Sequence, residues 1–181
     1  DIVEQDLRDS EGIRRLLRET KPVVVFNLAG YGVDPSEKSP DMACDINVRL
    51  VQDIARGIAK TQAADAVIIH VGTAQEYGAA RGNLEATTPA QPTTVYGRTK
   101  LAGTAALKQE CQTLGLRGVT ARLFTVYGPG EHDGRLLPSL CEAARTGSSL
   151  NLTAGQQQRD FTYVEDVADG LLRLGQSDVG H

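Results

Sequence analysis

Apolar residues along the chain form two kinds of pattern, and the two kinds follow each other in turn. Short continuous apolar runs rich in β-branched residues, such as residues 23–29, are typical of buried parallel strands. Stretches with an apolar residue every three or four positions, such as Ile13, Leu16 and Leu17, are typical of helices. In chain order the patterns predict a helix at about Ser10–Thr20, a strand at Val23–Ala29, a helix at about Pro40–Lys60, a strand at Ala66–Val71, a helix at about Val95–Leu114, a strand at Gly118–Val126 and a helix at about Leu136–Arg145.

This alternation of strand and helix predicts the α/β fold class, with a doubly wound parallel sheet that carries helices on both faces. A length of 181 residues is enough for one domain with a real core and too short for two large ones. No internal repeat or low-complexity segment interrupts the pattern. We therefore expect one domain over residues 1–181.

Composition and charge narrow the classes of partner. The formal net charge is −4 and the basic residues are scattered, which argues against a nucleic-acid-binding surface. Cys44, Cys111 and Cys141 form neither a Cys-x-x-Cys pair nor a cluster with His, so we expect no metal site and no disulfide framework. No segment is long and apolar enough to span a membrane, and residues 1–6 lack the features of a signal peptide. We expect a cytoplasmic protein with no metal, nucleic-acid or membrane partner.

Two residues at the start of the predicted helix 95–114 suggest acid/base chemistry. Tyr96 and Lys100 are four positions apart, so they share one helix face, and the ammonium would favour the ionised phenol. A phenol that works as a base near neutral pH needs its pKa lowered by roughly three units from about 10, or about 4 kcal/mol. The hydroxyl of Thr73, which follows an apolar run, could bond the same substrate oxygen. A surface Tyr and Lys on a helix would have the same spacing, so the pair alone is weak evidence.

Seven short segments together give a more specific signal. In order along the chain they are Asp6-Leu7, Asn27-Leu28-Ala29-Gly30, Asn47, Gly72-Thr73 through Glu76-Tyr77-Gly78, Tyr96 to Lys100, Arg122 through Tyr127-Gly128-Pro129, and Arg159-Asp160-Phe161-Thr162. With these segments the chain resembles the extended short-chain dehydrogenases and reductases, the family of NAD-dependent nucleotide-sugar epimerases, dehydratases and ketoreductases. The resemblance implies a Rossmann-like fold and an enzyme that uses NAD or NADP.

The resemblance assigns four catalytic positions. Tyr96 corresponds to the acid/base, Thr73 to the residue that positions the substrate hydroxyl, and Lys100 to the residue that binds the nicotinamide ribose and lowers the pKa of the Tyr. Asn47 corresponds to a helical Asn that supports this Lys in the wider superfamily. An Asn inside a helix is otherwise usually solvated.

The resemblance also assigns the cofactor contacts. Asp6 and Leu7 match the pair that holds the adenine end of the dinucleotide, and the weaker alternative is that Asp6 is a helix-entry carboxylate. The strand end Leu28, Ala29 and Gly30 matches the backbone that lies against the cofactor, where small residues allow close approach. Tyr96 and Lys100 are expected to contact the cofactor as well.

Four further positions match the region that binds the nucleotide-sugar. Arg135, Leu136 and Arg159 align with it, and guanidinium groups suit a diphosphate because their donors match its oxygens in pairs. Thr125 stands where relatives commonly place an Asn near the diphosphate. His70, inside an apolar strand, is predicted to be a hydrogen-bonded core residue.

One departure from the family pattern bears on the reaction. Sugar 4,6-dehydratases place an acid and a carboxylate base directly after the catalytic Thr, whereas this chain has Ala74 and Gln75. Neither can transfer the proton that the elimination of water requires. We therefore expect a nucleotide-sugar epimerase or 4-ketoreductase. The alternatives are a non-catalytic member of the fold that binds the cofactor, and an inactive one that does not.

A second departure concerns the ends of the chain. The sequence contains no G-x-x-G-x-x-G loop to hold a pyrophosphate, and it stops at Gly180-His181, where relatives continue into the substrate-binding lobe. The expected domain is therefore incomplete at both ends, with residues 131–181 forming the start of that lobe. Without the first strand of the family fold, the strand at 23–29 would be an exposed edge that favours pairing with another chain. We therefore expect either a fragment of a longer protein or a chain that forms a homodimer or binds its ligands weakly, and among these states of the chain we predict the homodimer.

Overall fold

The computed structural model of the chain describes residues 2–34, 36–61 and 65–178. These fall into two compact units. The first comprises the described residues up to Leu123 and from Leu171 onward, and the second comprises Phe124–Gly170. The carboxyl terminus at Gly180 and His181, where the family resemblance stops, lies outside the described residues.

The helices and strands are, in chain order, α1 (Ser10–Thr20), β1 (Val24–Asn27), α2 (Pro40–Cys44), a π-helical turn (Asp45–Arg49), α3 (Leu50–Ala59), β2 (Val67–Thr73), a 3₁₀ turn (Ala74–Glu76), α4 (Val95–Leu114), β3 (Arg117–Leu123), β4 (Thr125–Tyr127), α5 (Leu136–Thr146), β5 (Phe161–Tyr163) and α6 (Val164–Gln176). As far as α5 they follow the predicted order, with α1 and α4 at their predicted ends and the others shifted, whereas β5 and α6 were not predicted.

The sheet of the first unit has three parallel strands in the order β1, β2, β3. Asn27 pairs with His70, and Thr73 pairs with Leu123. Because the strands are parallel, their carboxyl ends lie at one edge of the sheet, where open α/β folds bind their ligands. This arrangement confirms the predicted fold class.

Helices cover both faces of this sheet. On one face Ile68 and Val25 pack in a core with residues of α1, α3 and α4, among them the fully buried Ile58 and Leu107. On the other face the last turn of α6 lies close to β1, since a Cβ added at Gly175 would be 3.1 Å from Val24 Cγ1 and 3.2 Å from the Phe26 ring. Side chains alternate along a strand, so Val24 and Phe26 point away from Val25.

The long helix predicted at residues 40–60 contains an interruption. Ser39 accepts a hydrogen bond from the Met42 amide and Pro40 occupies the first turn, which starts α2 as expected. The π-helical turn at residues 45–49 then separates α2 from α3. Such a turn inserts one residue into the helical repeat and is frequent at functional sites. Asn47, one of the predicted catalytic residues, lies in this turn.

The single strand predicted at Gly118–Val126 was wrong, because the chain forms two strands there. β3 ends at Leu123 and pairs with β2, whereas β4 begins at Thr125 and pairs in parallel with β5 of the second unit. An apolar run identifies extended backbone but contains no information about which strand it pairs with.

The second unit has a small aromatic cluster on its two strands. The Tyr127 ring lies 6.2 Å from that of Phe161 and 5.5 Å from that of Tyr163, measured between centroids. A Cβ at Gly128, whose φ is +145°, would lie 2.5 Å from Val164 Cγ1. The turn after β4 therefore packs tightly on the start of α6, and only glycine fits there.

Candidate active site

The carboxyl end of β2 positions Thr73. Its hydroxyl accepts a hydrogen bond from the Gln75 amide at 3.3 Å, and the Glu76 side chain accepts one from the Thr73 amide at 2.9 Å. These reciprocal bonds form a capping box, which satisfies amides at the start of a short helix. The strand therefore ends in a fixed turn that holds the Thr73 side chain at the edge of the sheet.

Tyr96 and Lys100 lie on the first turns of α4. The Thr94 hydroxyl caps this helix by accepting from the Gly97 amide at 2.9 Å. A Cβ at Gly97 would collide with the Gln75 carbonyl oxygen, so glycine allows the helix to approach the turn after β2. Thr73 is near enough to the Tyr96 phenol for its side chain to lower the pKa of that phenol. The structure thus brings the predicted Thr and Tyr together.

The end of β1 completes this group of residues. Lys100 is only 2% exposed, and its Nζ donates to the Ala29 carbonyl oxygen at 3.4 Å. A Cβ at Gly30 would lie 3.8 Å from the Tyr96 hydroxyl. The predicted cofactor-binding strand end therefore lies against both side chains of the pair on α4.

Burial dominates the ionisation of this pair. The pKa of Lys100 falls from its ordinary value of 10.5 to about 8 because burial disfavours the charged form, an effect that the nearby Glu76 carboxylate partly opposes. Burial also raises the pKa of the Tyr96 phenol, and this effect outweighs that of the Thr73 side chain, which lowers it; the carboxylates of Glu76 and Glu37 raise it further.

The pKa of the Tyr96 phenol responds to burial, Thr73, Glu76 and Glu37 in the protein without a ligand. Burial lowers the pKa of Lys100 itself, which reduces the charge that the amine could place beside a phenolate. That Lys100 lowers the pKa of Tyr96 stays a prediction.

Asn47 links the loop after β1 to α4. Its side-chain oxygen accepts from the Tyr31 amide at 2.9 Å, and its side-chain nitrogen donates to the Tyr31 carbonyl at 2.8 Å and to the Thr99 hydroxyl at 2.9 Å. Thr99 lies directly before Lys100. Asn47 is fully buried, so every one of these bonds replaces water that the side chain has lost.

Asn27 and His70 form a second buried link that the sequence motifs did not assign. The Asn27 amide nitrogen lies 3.2 Å from His70 Nδ1, and the Asn27 side-chain oxygen accepts from the Ala29 amide at 3.2 Å. His70 is 1% exposed, which confirms the predicted core histidine. The pair orients the backbone of Ala29, the acceptor of Lys100.

Glu76 and Arg122 are also functional candidates that residue-by-residue sequence analysis missed. Both lie in segments that resemble the family, but neither received a role. The Arg122 Nε donates to Glu76 Oε2 at 2.8 Å, and Glu76 has no exposed surface. The signal available in the sequence was the spacing of Thr73 and Glu76, which matches a capping box.

The residues predicted to hold the adenine end lie at the rim of an apolar cleft. The cleft has a volume of about 280 Å³, and Leu7, Leu28 and Ala29 line it together with residues of α1 and α3. Asp6 is exposed and pairs with Arg8 at 2.8 Å, which lowers the pKa of its carboxyl to about 2. Asp6 is therefore ionised at neutral pH, and both of its carboxylate oxygens accept from Arg8.

The four residues predicted to bind the nucleotide-sugar all belong to the second unit. The Thr125 amide donates to the Asp160 carbonyl at 3.0 Å, so Thr125 and Arg159 occupy neighbouring strand ends. Arg135 occupies the N-cap position of α5 without a capping side-chain bond, and its Nε lies 3.7 Å from a Glu131 carboxylate oxygen. Leu136 is the first residue of the same helix and is 47% exposed. Within this unit two of the four residues thus lie at or just before the paired starts of β4 and β5, and two lie at the start of α5.

Neither a membrane segment nor a metal cluster is found in the described part of the chain. None of its helices combines the length and apolarity needed to cross a bilayer. Among the same residues, no three His, Cys, Asp or Glu side chains gather as metal ligands.

Comparison with known proteins identifies the family. The family model described as "NAD dependent epimerase/dehydratase family" matches residues 1–181. The chain belongs to this family. It is 28% identical over 181 residues to the dTDP-glucose 4,6-dehydratase of Xanthomonas campestris pv. campestris (strain B100), an alignment that covers 94% of this chain and 52% of the relative. It is 32% identical over 174 residues to the dTDP-6-deoxy-L-talose 4-dehydrogenase (NAD(P)(+)) of Kitasatospora kifunensis, covering 91% of this chain and 53% of the relative.

A solved structure of the same family superposes closely. It is that of MoeE5 in complex with UDP-glucose and NAD, with a TM-score of 0.83 and 28% sequence identity, covering 98% of this chain and 60% of that chain. The chain thus spans about half the length of the curated relatives it matches. Its similarity to NAD-dependent epimerases, dehydratases and reductases extends over nearly all of its own length.

The two residues directly after Thr73 carry no group that can donate or accept a proton in catalysis. Ala74 has no functional group, and the Gln75 side-chain oxygen accepts a hydrogen bond from the Thr94 hydroxyl at 2.8 Å. Gln75 is thus tied to the N-terminus of α4. No carboxyl group stands at either position to transfer a proton.

Proposed function

We propose that the protein is an NAD(P)-dependent nucleotide-sugar epimerase or 4-ketoreductase that uses Tyr96 as its acid/base. The observation that carries this proposal is that the Tyr96 phenol and the buried Lys100 amine meet at the end of β1, beside Gly30 and Ala29. Membership of the family supports an NAD-dependent enzyme, and the relatives named for dTDP-sugars and UDP-glucose support a nucleotide-sugar as substrate.

The residues at the sheet edge fit a nicotinamide cofactor. Lys100 is an almost fully buried amine with one acceptor in the described residues, the Ala29 carbonyl at 3.4 Å, which leaves N–H donors for ribose hydroxyls. The apolar cleft beside Leu7 and Leu28 suits an adenine ring. When bound, the cofactor would supply a hydride acceptor or donor at the sugar carbon.

The chain's own residues would handle the proton. Tyr96 would donate its proton to the oxygen of a keto sugar, or accept one from the hydroxyl when the reaction runs in the opposite direction. Thr73 would hold the same oxygen by hydrogen bonding. The raised pKa of Tyr96 keeps the phenol protonated at neutral pH, which suits the donating direction. Ala74 and Gln75 cannot perform the elimination that a dehydratase requires.

The test is Tyr96→Phe, with Tyr163→Phe as a control that removes a hydroxyl in the second unit. Binding of NADH and NADPH is followed by nicotinamide fluorescence, and turnover is followed with UDP- and dTDP-hexoses and their 4-keto forms. We expect Tyr96→Phe to lower turnover by about 10²–10⁴-fold and to leave NADH binding and thermal unfolding nearly unchanged. Turnover at the parental rate in Tyr96→Phe would contradict the assignment. The homodimer and the cytoplasmic location remain predictions.

A further inference from the structure

Glu76 is a buried carboxylate with every oxygen engaged close to Thr73. Its Oε1 accepts from the Thr73 amide at 2.9 Å, and its Oε2 accepts from the Thr104 hydroxyl at 3.0 Å and from Arg122 Nε at 2.8 Å. It has no exposed surface. One side chain thus joins the end of β2 to α4 and to β3.

Arg122 is itself fixed on the far side of this carboxylate. Its Nη1 donates to the Tyr77 hydroxyl at 3.2 Å and to the Ala86 carbonyl at 3.3 Å, and its guanidinium carbon lies 4.8 Å from the centroid of the Tyr77 ring. The planar guanidinium can satisfy these directions at once, which an ammonium cannot. The position of Glu76 is therefore determined by Arg122.

The absence of a side chain at Gly72 leaves space for the Glu76 carboxylate. A Cβ at Gly72 would collide with Glu76 Oε1 and would lie 2.9 Å from Thr120 Cγ2. A buried ion pair contributes little net stability, since the desolvation of both charges offsets their attraction. A contribution to stability therefore does not explain why Glu76 and Arg122 are paired here. The bond from the Thr73 amide to Glu76 gives the pair a specific role, which is to hold Thr73 in place.

We propose that Glu76 is a positioning residue of the group Thr73, Tyr96 and Lys100, that it fixes Thr73 through the backbone amide, and that Arg122 fixes Glu76. This inference rests on the proposed function of that group. Glu76 itself would touch neither substrate nor cofactor. It would hold the Thr73 backbone in place, and its charge would act on Lys100 and Tyr96.

The charge of Glu76 affects the pKa of both Tyr96 and Lys100 on α4. It raises the pKa of Lys100 against the effect of burial, and it raises the pKa of Tyr96 together with Glu37. The groups that face Glu76 are Arg122 on β3, Thr104 and Lys100 on α4, and the Thr73 amide on β2. Removing the carboxylate charge should therefore lower the pH at which Lys100 loses its proton.

The experiment compares Glu76→Gln with Glu110→Gln in the 181-residue chain. Glu110 is a matched control because it is a buried carboxylate paired with an arginine, Arg56, at 2.5 Å, and it lies ten residues from Lys100 on α4, about 15 Å away along the axis. Chains labelled with ¹³C-lysine are titrated by NMR at the Cε carbon, and Lys100→Met assigns the signal.

We expect Glu76→Gln to lower the Lys100 midpoint by about one pH unit and to speed hydrogen exchange of the Thr73 amide. Glu110→Gln should change neither, although both variants lower the unfolding temperature. A folded Glu76→Gln chain with an unchanged Lys100 midpoint and unchanged exchange at Thr73 would overturn the proposal.

A double variant tests the same inference if Glu76→Gln does not fold. Glu76→Gln combined with Arg122→Met removes both charges at similar volume, so no buried charge is left unpaired. The Lys100 midpoint should again fall, and an unchanged midpoint would overturn the inference. Both readouts are measured without substrate, so a shift in a chain with no turnover would contradict only the proposed function.

Discussion

At the scale of single residues, the fully buried Asn47 makes three side-chain hydrogen bonds in the candidate site. Replacing it by Ala removes its bonds to Tyr31 and Thr99 and leaves partly buried polar atoms of these two residues without this acceptor or donor. We expect Asn47→Ala to lower the free energy of unfolding by about 2–3 kcal/mol. Denaturant unfolding measures this, with the exposed Asn151→Ala as a control that should change stability by less than about 0.5 kcal/mol. Equal losses in both variants would contradict the role of Asn47.

Lys100 is a second single residue with a measurable effect, because it makes the free energy of unfolding depend on pH. Its folded pKa of about 8 lies below the ordinary 10.5, so the unfolded chain binds more protons between these values. The free energy of unfolding should therefore rise as the pH increases from about 8 to 10.5. Below pH 8 the buried Lys100 is protonated, and holding this charge should cost the folded state about 3 kcal/mol.

Lys100→Met tests this dependence because it keeps the length of the side chain and removes the charge. We expect it to raise the free energy of unfolding at pH 7 by up to about 3 kcal/mol and to flatten the rise above pH 8. Loss of nicotinamide binding in the same variant would show the usual exchange of stability for function. A variant that is less stable than the parent at pH 7 would contradict the assigned pKa.

At the scale of elements, the approach of α4 to the π-helical turn depends on one glycine. A Cβ at Gly103 would collide with the Asn47 carbonyl oxygen. Gly103→Ala should therefore lower the free energy of unfolding by about 1–3 kcal/mol through overpacking, although Ala is the better helix former by about 1 kcal/mol.

Gly170→Ala in α6 is the matched control for this prediction. Nothing lies within 4 Å of a Cβ at Gly170, so the same change should stabilise the protein by about 0.5–1 kcal/mol. Thermal unfolding of the two variants should thus move in opposite directions. A stabilised Gly103→Ala chain would show that the contact between α4 and the π-helical turn is not close.

At the scale of the whole molecule, β1 is an edge strand of the described three-stranded sheet. Apolar side chains at its ends are exposed, with Val23 at 80% and Leu28 at 63%. Such an edge favours pairing with a second copy. We expect the native mass to be about twice the 19.3 kDa of one chain.

Val23→Lys should shift this equilibrium toward the single chain, because a charge on an edge strand opposes pairing. Leu152→Lys changes an equally apolar side chain that is 61% exposed in the second unit and should leave the mass unchanged. Light scattering over a range of concentrations measures both variants. A parent chain that stays at 19.3 kDa throughout would contradict the predicted homodimer.

The sequence by itself determined the alternating order of helices and strands as far as α5, apart from the split of the strand predicted at Gly118–Val126, and it predicted the group Thr73, Tyr96 and Lys100. Helix α4 was predicted with both ends correct, because the Thr94 cap and Gly115, with its positive φ, are local signals. Two further signals are also local in the sequence. Thr73 follows directly after an apolar strand run, and Tyr96 and Lys100 are four positions apart.

The tertiary structure alone decided the partners and the charges of these residues. The split between β3 and β4, the link from Asn27 to His70 and the pair of Glu76 and Arg122 all join positions that are far apart in the chain. The sign of the pKa change at Tyr96 also depended on burial, which spacing cannot reveal. Periodicity reports which face of an element is apolar, whereas pairing and desolvation depend on what packs against that face.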